Sequence, residues 1–118
     1  MPNYESNLYC KLFIDNDCNL DYLILKIKKI LDGKIELQTY IYNKYLRIDA
    51  RENDEYDKVL KNSSYDGFLF YRFILDIYQK ENITDEDYIN QIKFLIKFLR
   101  DQGFKVVPAC HFEEKLNL

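Results

Sequence analysis

The sequence predicts an α+β fold in which an antiparallel sheet of about five strands carries two helices on one face. Segments that alternate apolar and polar residues, as strands do, are interspersed with two segments whose apolar residues recur every three or four positions, as in helices. The predicted order is β-α-β-β-β-α-β, which matches the split βαβ, or ferredoxin-like, plan with one extra hairpin strand between its halves. A length of 118 residues, with only three glycines and two prolines, indicates one domain spanning residues 1–118.

A strand and a helix are predicted at the start of the chain. The residues from Leu8 to Ile14 alternate in the manner of a strand. Asn19 is a suitable N-cap for a helix that runs to about Asp32, because leucine and isoleucine recur at intervals of three and four residues after it. Gly33 is predicted to end this helix in the left-handed conformation.

Two further strands follow the first helix. The alternation from Ile35 to Tyr42 predicts a second strand with an aliphatic face and a polar face that turns aromatic. Asn43-Lys44 predicts a tight turn, and Tyr45 to Arg51 a third strand. The segment from Lys58 to Tyr65 is compatible with a loop or with a short helical turn.

The stretch from Phe68 to Tyr78 predicts a long strand whose two faces are both partly aromatic. One alternate row is apolar throughout, and we expect it to face the core: Leu69, Tyr71, Phe73, Leu75 and Ile77. The other row mixes aromatic side chains with opposite charges, which suits a surface that something else covers: Phe68, Phe70, Arg72, Ile74 and Asp76.

The last predicted elements are a helix and a strand. Thr84 can cap a helix that has acidic residues in its first turn, where the helix dipole favours negative charge, and Gly103 can end it. Phe104 to Ala109 predicts a last strand, in which Pro108 favours an edge position or a strand end because it cannot donate a ladder hydrogen bond. Since each helix has one apolar stripe, both can cover the same sheet face and leave the other to water or a partner.

The motifs favour a binding protein over an enzyme. The sequence has no Cys-x-x-Cys, no glycine-rich phosphate loop and no Gly-x-Ser-x-Gly. The single histidine, His111, directly follows Cys110, so the two side chains of an extended segment would point in opposite directions. We therefore predict no catalytic residue, no metal site and no cofactor.

Composition and charge narrow the compartment and the partner. Three cysteines without paired spacing, no signal-like N-terminus and no apolar run long enough to span a bilayer predict a cytoplasmic protein. A net charge of −3 disfavours nucleic acid, although bases can stack on the aromatic side chains of a βαββαβ sheet. A protein with a basic surface is the expected partner.

Two groups of residues are candidates for a protein-binding surface. The first lies on the predicted open face, where aromatic residues and arginine suit an interface: Tyr40, Tyr42, Phe68, Phe70, Arg72 and Asp76. These rings could equally pack under a loop or the C-terminal tail, or form cross-strand pairs. The second group is acidic and suits a basic partner: Asp49, Glu52, Asp54, Glu55 and Asp57. A solvated acidic loop is the alternative, and the spacing of a cation-binding loop is absent.

The C-terminal half carries a resemblance. The residues concerned are Asp66-Gly67-Phe68-Leu69-Phe70-Tyr71, a capped helix, and then Val106-Val107-Pro108-Ala109-Cys110-His111-Phe112-Glu113-Glu114. This half resembles small bacterial immunity-type proteins of polymorphic toxin systems. The resemblance implies a cytoplasmic protein that neutralises a cognate toxin domain by covering its active surface. Against a basic nuclease, the acidic group would occupy the phosphate-binding groove, and Tyr42, Phe68 and Phe70 would be apolar anchors.

A second hypothesis assigns the same open face to self-association. In a small self-associating or regulatory α/β domain without catalysis, two copies could pair through this face across a two-fold axis.

Overall fold

The computed structural model describes residues 8–63 and 66–116. Within these ranges the strands are β1 Cys10–Asp15, β2 Lys34–Glu36, β3 Tyr40–Tyr42, β4 Leu46–Glu52, β5 Phe73–Gln79 and β6 Lys105–Ala109. The helices are α1 Leu20–Leu31, α2 Asp85–Asp101 and the short α3 Glu113–Leu116, with 3₁₀ turns at Leu60–Asn62 and Gly67–Phe70. The predicted α+β fold is confirmed, and the described residues form six strands instead of about five.

The strands form one antiparallel sheet in the order β2-β3-β4-β5-β1-β6. The chain runs from β1 through α1 to β4, with β5 between these two parallel strands, and from β5 through α2 to β6, with β1 between them. This is the split βαβ plan. The β2–β3 hairpin widens the sheet beside β4, and β6 lies at the opposite edge, which is one of the two positions that Pro108 favoured.

Both long helices cover the same face of the sheet, as predicted, because each buries a single apolar stripe. The Tyr88 ring of α2 is fully buried, and its hydroxyl lies 2.6 Å from the carbonyl oxygen of Leu8 and 3.1 Å from that of Ile77. A polar group in the core is thereby satisfied. In the described part of the chain, the helices are all too short or too polar to span a membrane.

The predicted helix caps are confirmed, with one exception. The side chains of Asn19 and Thr84 accept backbone N–H groups three residues on, at 2.9 and 3.1 Å, and Gly103 follows α2 with a φ of 93°. At the end of α1 the left-handed residue is Asp32, with a φ of 51°, so the predicted stop at Gly33 is wrong. Gly33 is required for another reason, because a Cβ there would lie 2.7 Å from a carbonyl oxygen of β3.

The single strand predicted from Ile35 to Tyr42 is in fact the β2–β3 hairpin. The chain reverses at Leu37 and Gln38, whose φ values are 50° and 70°. Leu37, which the alternation places on the aliphatic face of the predicted strand, is 89% exposed at this turn. Neither residue is the glycine or asparagine that usually marks such a conformation, so the alternation continued through the turn without a signal. The turn at Asn43-Lys44 is confirmed.

The long strand predicted from Phe68 to Tyr78 is wrong in its first part. β5 begins at Phe73, and Gly67–Phe70 forms a 3₁₀ turn. From Phe73 onward the predicted inward row is correct, because this residue and the next two alternate residues are fully buried. Leu69, in the same predicted row, is 41% exposed.

Two side chains that are distant in sequence hold residues 69–72 out of the sheet. Asn53, directly after β4, is buried, and its Nδ2 donates to the carbonyl oxygens of residues 69 and 71 at 3.0 and 2.6 Å. The carboxylate of Asp15, at the end of β1, accepts the N–H of Arg72 at 3.1 Å and Nζ of Lys61 at 2.8 Å. Both neighbouring strands therefore end in side chains that bind the incoming chain before β5 begins. We call residues 53–63 and 66–72 the cover segment.

The two 3₁₀ turns of the cover segment lie against each other. A Cβ at Gly67 would lie only 2.6 Å from the carbonyl oxygen of Lys61, so this approach requires glycine. Of the segment predicted as either loop or helical turn, the described part contains the 3₁₀ turn Leu60–Asn62, while Ser64 and Tyr65 lie outside the described residues. The C-terminal tail forms α3, and its last two residues also lie outside them.

Candidate functional site

The sheet face opposite the helices is the candidate site, and we call it the open face. Strand register arranges its side chains in three rows that cross the sheet. The first row is Lys34, Tyr42, Arg47, Tyr78 and Tyr9. The second row is Glu36, Tyr40, Asp49, Asp76 and Lys11. The third row is Arg51, Ile74, Phe13 and Val107.

The first row is a ladder of tyrosines and cations. The rings of Tyr9 and Tyr78 lie with their centroids 5.2 Å apart, and the Arg47 guanidinium carbon lies 4.9 Å from the centroid of Tyr78. At the far end, Lys80 Nζ lies 4.5 Å from the ring centroid of Tyr42. These aromatic and cation–π contacts fix the rings in place. A partner would therefore meet large side chains that lose little freedom on binding.

A cleft of about 610 Å³ lies next to the end of this row that contains Lys34 and Tyr42. Its wall includes Tyr42 with Lys80, and Tyr45 with Lys44, whose Nζ lies 5.1 Å from the Tyr45 ring centroid. The first row therefore has a positive rim.

The second row is acidic at its centre. Asp49 and Asp76 lie directly opposite each other on β4 and β5. Asp76 accepts a hydrogen bond from the Tyr9 hydroxyl and another from Nε of Arg51 at 3.1 Å. Asp49 is exposed and has no ion pair among the described residues. Because like charges directly opposite each other are unfavourable, a cation brought to Asp49 by a partner would relieve the repulsion.

Tyr9 provides a test of this network. Burial is the main cause that raises the pKa of Tyr9 well above its ordinary value of 10.0, and the hydrogen bond to Asp76 is the second. A group with a raised folded-state pKa stabilises the fold fully below its unfolded pKa, and this contribution is lost as pH rises through the folded-state value. We expect the free energy of unfolding to fall above about pH 10, and to fall less steeply in Tyr9→Phe. Urea unfolding of both proteins at neutral and alkaline pH checks this, and equal slopes would contradict it.

The third row is covered. Phe68 of the cover segment packs edge-on against Phe13, with ring centroids 5.3 Å apart. Phe13 and Ile74 are consequently only 6% and 5% exposed, although they lie on the open face. The cover segment thus closes one end of the face and leaves the first and second rows accessible.

The structure separates the predicted aromatic group. Tyr40 and Tyr42 lie half-buried on the open face. Phe68 and Phe70 are not on a strand, and both lie half-buried in the 3₁₀ turn of the cover segment. The guanidinium carbon of Arg72 lies over the ring of Phe73, at 5.3 Å from its centroid, and not on the open surface of the sheet.

The predicted acidic group is largely exposed, but the structure does not bring it together on the open face. Asp49 belongs to the second row, Glu52 ends β4 opposite the buried Phe73 and so lies on the helix-covered side, and Asp54 and Glu55 follow in the turn. Asp57 has a structural role, because its Oδ1 accepts the backbone N–H groups of residues 59 and 60 at 2.8 and 2.9 Å.

Tyr9, Arg47 and Tyr78 belong to the first row but are not among the predicted site residues. Alternation carries the signal for them, because each is next to a buried residue in the chain.

Comparison of the chain with protein-family models, curated proteins and solved structures gave no match. The fold and site define the chain as an α+β domain with one helix-covered sheet face and one face largely open.

Proposed function

We propose that the protein is a non-catalytic binding protein, and specifically a cytoplasmic immunity protein whose open face covers the active surface of a basic toxin domain. One observation carries the proposal: Asp49 is an exposed carboxylate without an ion pair among the described residues, opposite a second carboxylate and beside fixed tyrosine rings. A lysine or arginine of a partner would gain an ion pair there and remove a repulsion at the same time.

The surroundings of Asp49 suit an extended basic surface. Asp54 and Glu55 are exposed in the turn after β4 and add negative charge at this end of the strand, and Glu52 is exposed at the end of β4. Surfaces that bind nucleic-acid phosphates are rich in lysine and arginine, so a nuclease domain fits this charge. Opposite charges would speed the encounter and disfavour wrong partners. The cationic first row beside the acidic second row would set the orientation of the partner.

The same mixture of charges supports the self-association hypothesis as the second candidate. Arg47 and Asp49 lie two residues apart on one strand and on one face. Across a two-fold axis, each could meet the opposite charge on a second copy, as a self-complementary interface requires.

The experiment is affinity capture of the tagged chain from its own cytoplasm, together with co-expression of the product encoded immediately upstream. For a captured toxin-like domain, we expect Asp49→Lys to weaken binding by about 100-fold, because like charges at an interface cost several kcal/mol. The matched control is Asp101→Lys, which makes the same charge change at an exposed position of α2 on the other side of the molecule. We expect this control to bind within about threefold of wild type.

The outcomes separate the hypotheses. A captured toxin-like domain that binds wild type and Asp49→Lys equally would contradict the proposed interface. Recovery of the chain alone, as a dimer in sedimentation that Asp49→Lys disrupts, would replace the immunity proposal with self-association.

A further inference from the structure

Cys10 and Cys110 lie one position beyond the last residue pair of the β1–β6 ladder. Lys11 lies opposite Ala109 in this ladder, so the same register brings Cys10 and Cys110 next to each other where the ladder ends. The Cys10 side chain lies on the helix-covered face, because Cys10 is two residues from the buried Leu12 on β1 and is itself fully buried. Cys110 is half-buried and packs against the core cluster.

This placement suits a disulfide without rearrangement of the sheet. The adjacent pair, Lys11 and Ala109, lies directly opposite in the antiparallel ladder, where Cα atoms are about 4.5–5.5 Å apart, and disulfides span a similar range. The backbone N–H of Cys110 donates to the Glu113 carboxylate at 3.1 Å instead of to β1. The ladder has therefore ended at this position, and a small adjustment of the backbone breaks none of its hydrogen bonds.

We propose that Cys10 and Cys110 are an oxidation site, at which a peroxide converts the two thiols into a reversible intramolecular disulfide. The Cys110 sulfur attacks the peroxide O–O bond, takes one oxygen as a sulfenic acid and releases water or hydroxide. The Cys10 sulfur then attacks the sulfenic sulfur, forms the S–S bond and releases a second water. Two thiols lose two electrons, and the peroxide gains them.

Burial and the pKa of each thiol indicate that Cys110 reacts with the peroxide and that Cys10 then forms the disulfide. Cys110 is the accessible member, and the neighbouring Cys10 thiol lowers the pKa of Cys110, which favours the reactive thiolate. The neighbouring Cys110 thiol and burial raise the pKa of Cys10. Cys10 is therefore protected from solution oxidants and reacts only with its neighbour.

The bond would join residues 10 and 110, which lie near opposite ends of the chain. It would tie β1 to the segment that carries Phe112 and Leu116, both buried against the core. Because a crosslink over so long a loop restricts the unfolded chain, oxidation should raise the midpoint of thermal unfolding, by about 5–10 °C.

The experiment treats the reduced full-length chain with hydrogen peroxide and follows intact mass. We expect the loss of two hydrogen masses, reversal by dithiothreitol, and a linked peptide pair that contains Cys10 and Cys110. Cys18→Ser is the matched control, because it removes the third, half-buried thiol and should leave this reaction unchanged.

Two variants test the roles of the pair. Cys10→Ala should abolish the mass loss and leave Cys110 to accumulate added oxygen. Cys110→Ala should abolish the loss of hydrogen mass and the oxygen addition. It also keeps the proposal testable if Cys10→Ala, at a buried position, prevents folding. Loss of hydrogen that persists in Cys110→Ala, or oxygen addition to Cys110 in the wild type without disulfide formation, would overturn the proposal.

Discussion

Replacing Asn53 by aspartate is expected to lower the free energy of unfolding by about 3 kcal/mol. Asn53 is only 6% exposed, and its Nδ2 donates to two carbonyl oxygens of the cover segment while its Oδ1 accepts the N–H of Glu55 at 3.0 Å. Aspartate has the same shape and keeps the acceptor. It replaces the donor with an oxygen that repels both carbonyls, which are left without their partner.

Urea unfolding of the variant at neutral pH measures this effect. Asn90→Asp is the matched control, because Asn90 is exposed on α2 and the same chemical change there should cost less than about 0.5 kcal/mol. The deficit of Asn53→Asp should narrow in acid, where a protonated carboxyl can again donate to one carbonyl. Equal stability of the two variants would show that the cover segment does not depend on Asn53.

The second large effect is expected for Asp15→Ala, at about 3–4 kcal/mol. Asp15 is 8% exposed and accepts hydrogen bonds from Lys61 and from the backbone of Arg72. Its removal strands a largely buried ammonium, whose side chain is 17% exposed, and leaves a backbone N–H without an acceptor. The hydrogen bond to Asp15 raises the pKa of Lys61 above 10.5. The contribution of Lys61 is therefore fully present at neutral pH and is lost only as pH rises through that raised value.

A double-mutant cycle with Lys61→Met isolates the pair. We expect Asp15→Ala with Lys61→Met to cost about 1–2 kcal/mol less than the sum of the single changes, because methionine removes the stranded charge. The Arg51–Asp76 pair offers a comparison, because Arg51 is exposed and Asp76 keeps the hydrogen bond from Tyr9, so Arg51→Met should cost less than about 1 kcal/mol. Additive costs for Asp15 and Lys61 would contradict direct coupling.

The layers of the fold could be predicted because each depends on a local pattern. α1, α2 and the buried rows of β1, β4 and β5 each present one apolar face, so periodicity alone identified them. The reversal at Leu37 and Gln38 could not be predicted, because ordinary residues adopt the left-handed conformation there.

The cover segment escaped prediction for a different reason. Phe68 to Tyr71 has the composition of a strand, but its conformation depends on Asn53 and Asp15, which lie 15 or more residues away in sequence. For the open face, alternation correctly placed Tyr40, Tyr42 and Asp76. The association of Asp49 with Asp76 depends on strand register, which periodicity does not determine.

The two edges of the sheet have a consequence for how such a domain can diversify. β2 is only three residues long, and β6 contains Pro108, so neither edge offers a long row of backbone groups on which another strand could assemble. Recognition would then depend on side chains and not on β-augmentation. Exposed residues of the first two rows could change without disturbing the buried scaffold, so one architecture could acquire new binding specificities through a few surface substitutions.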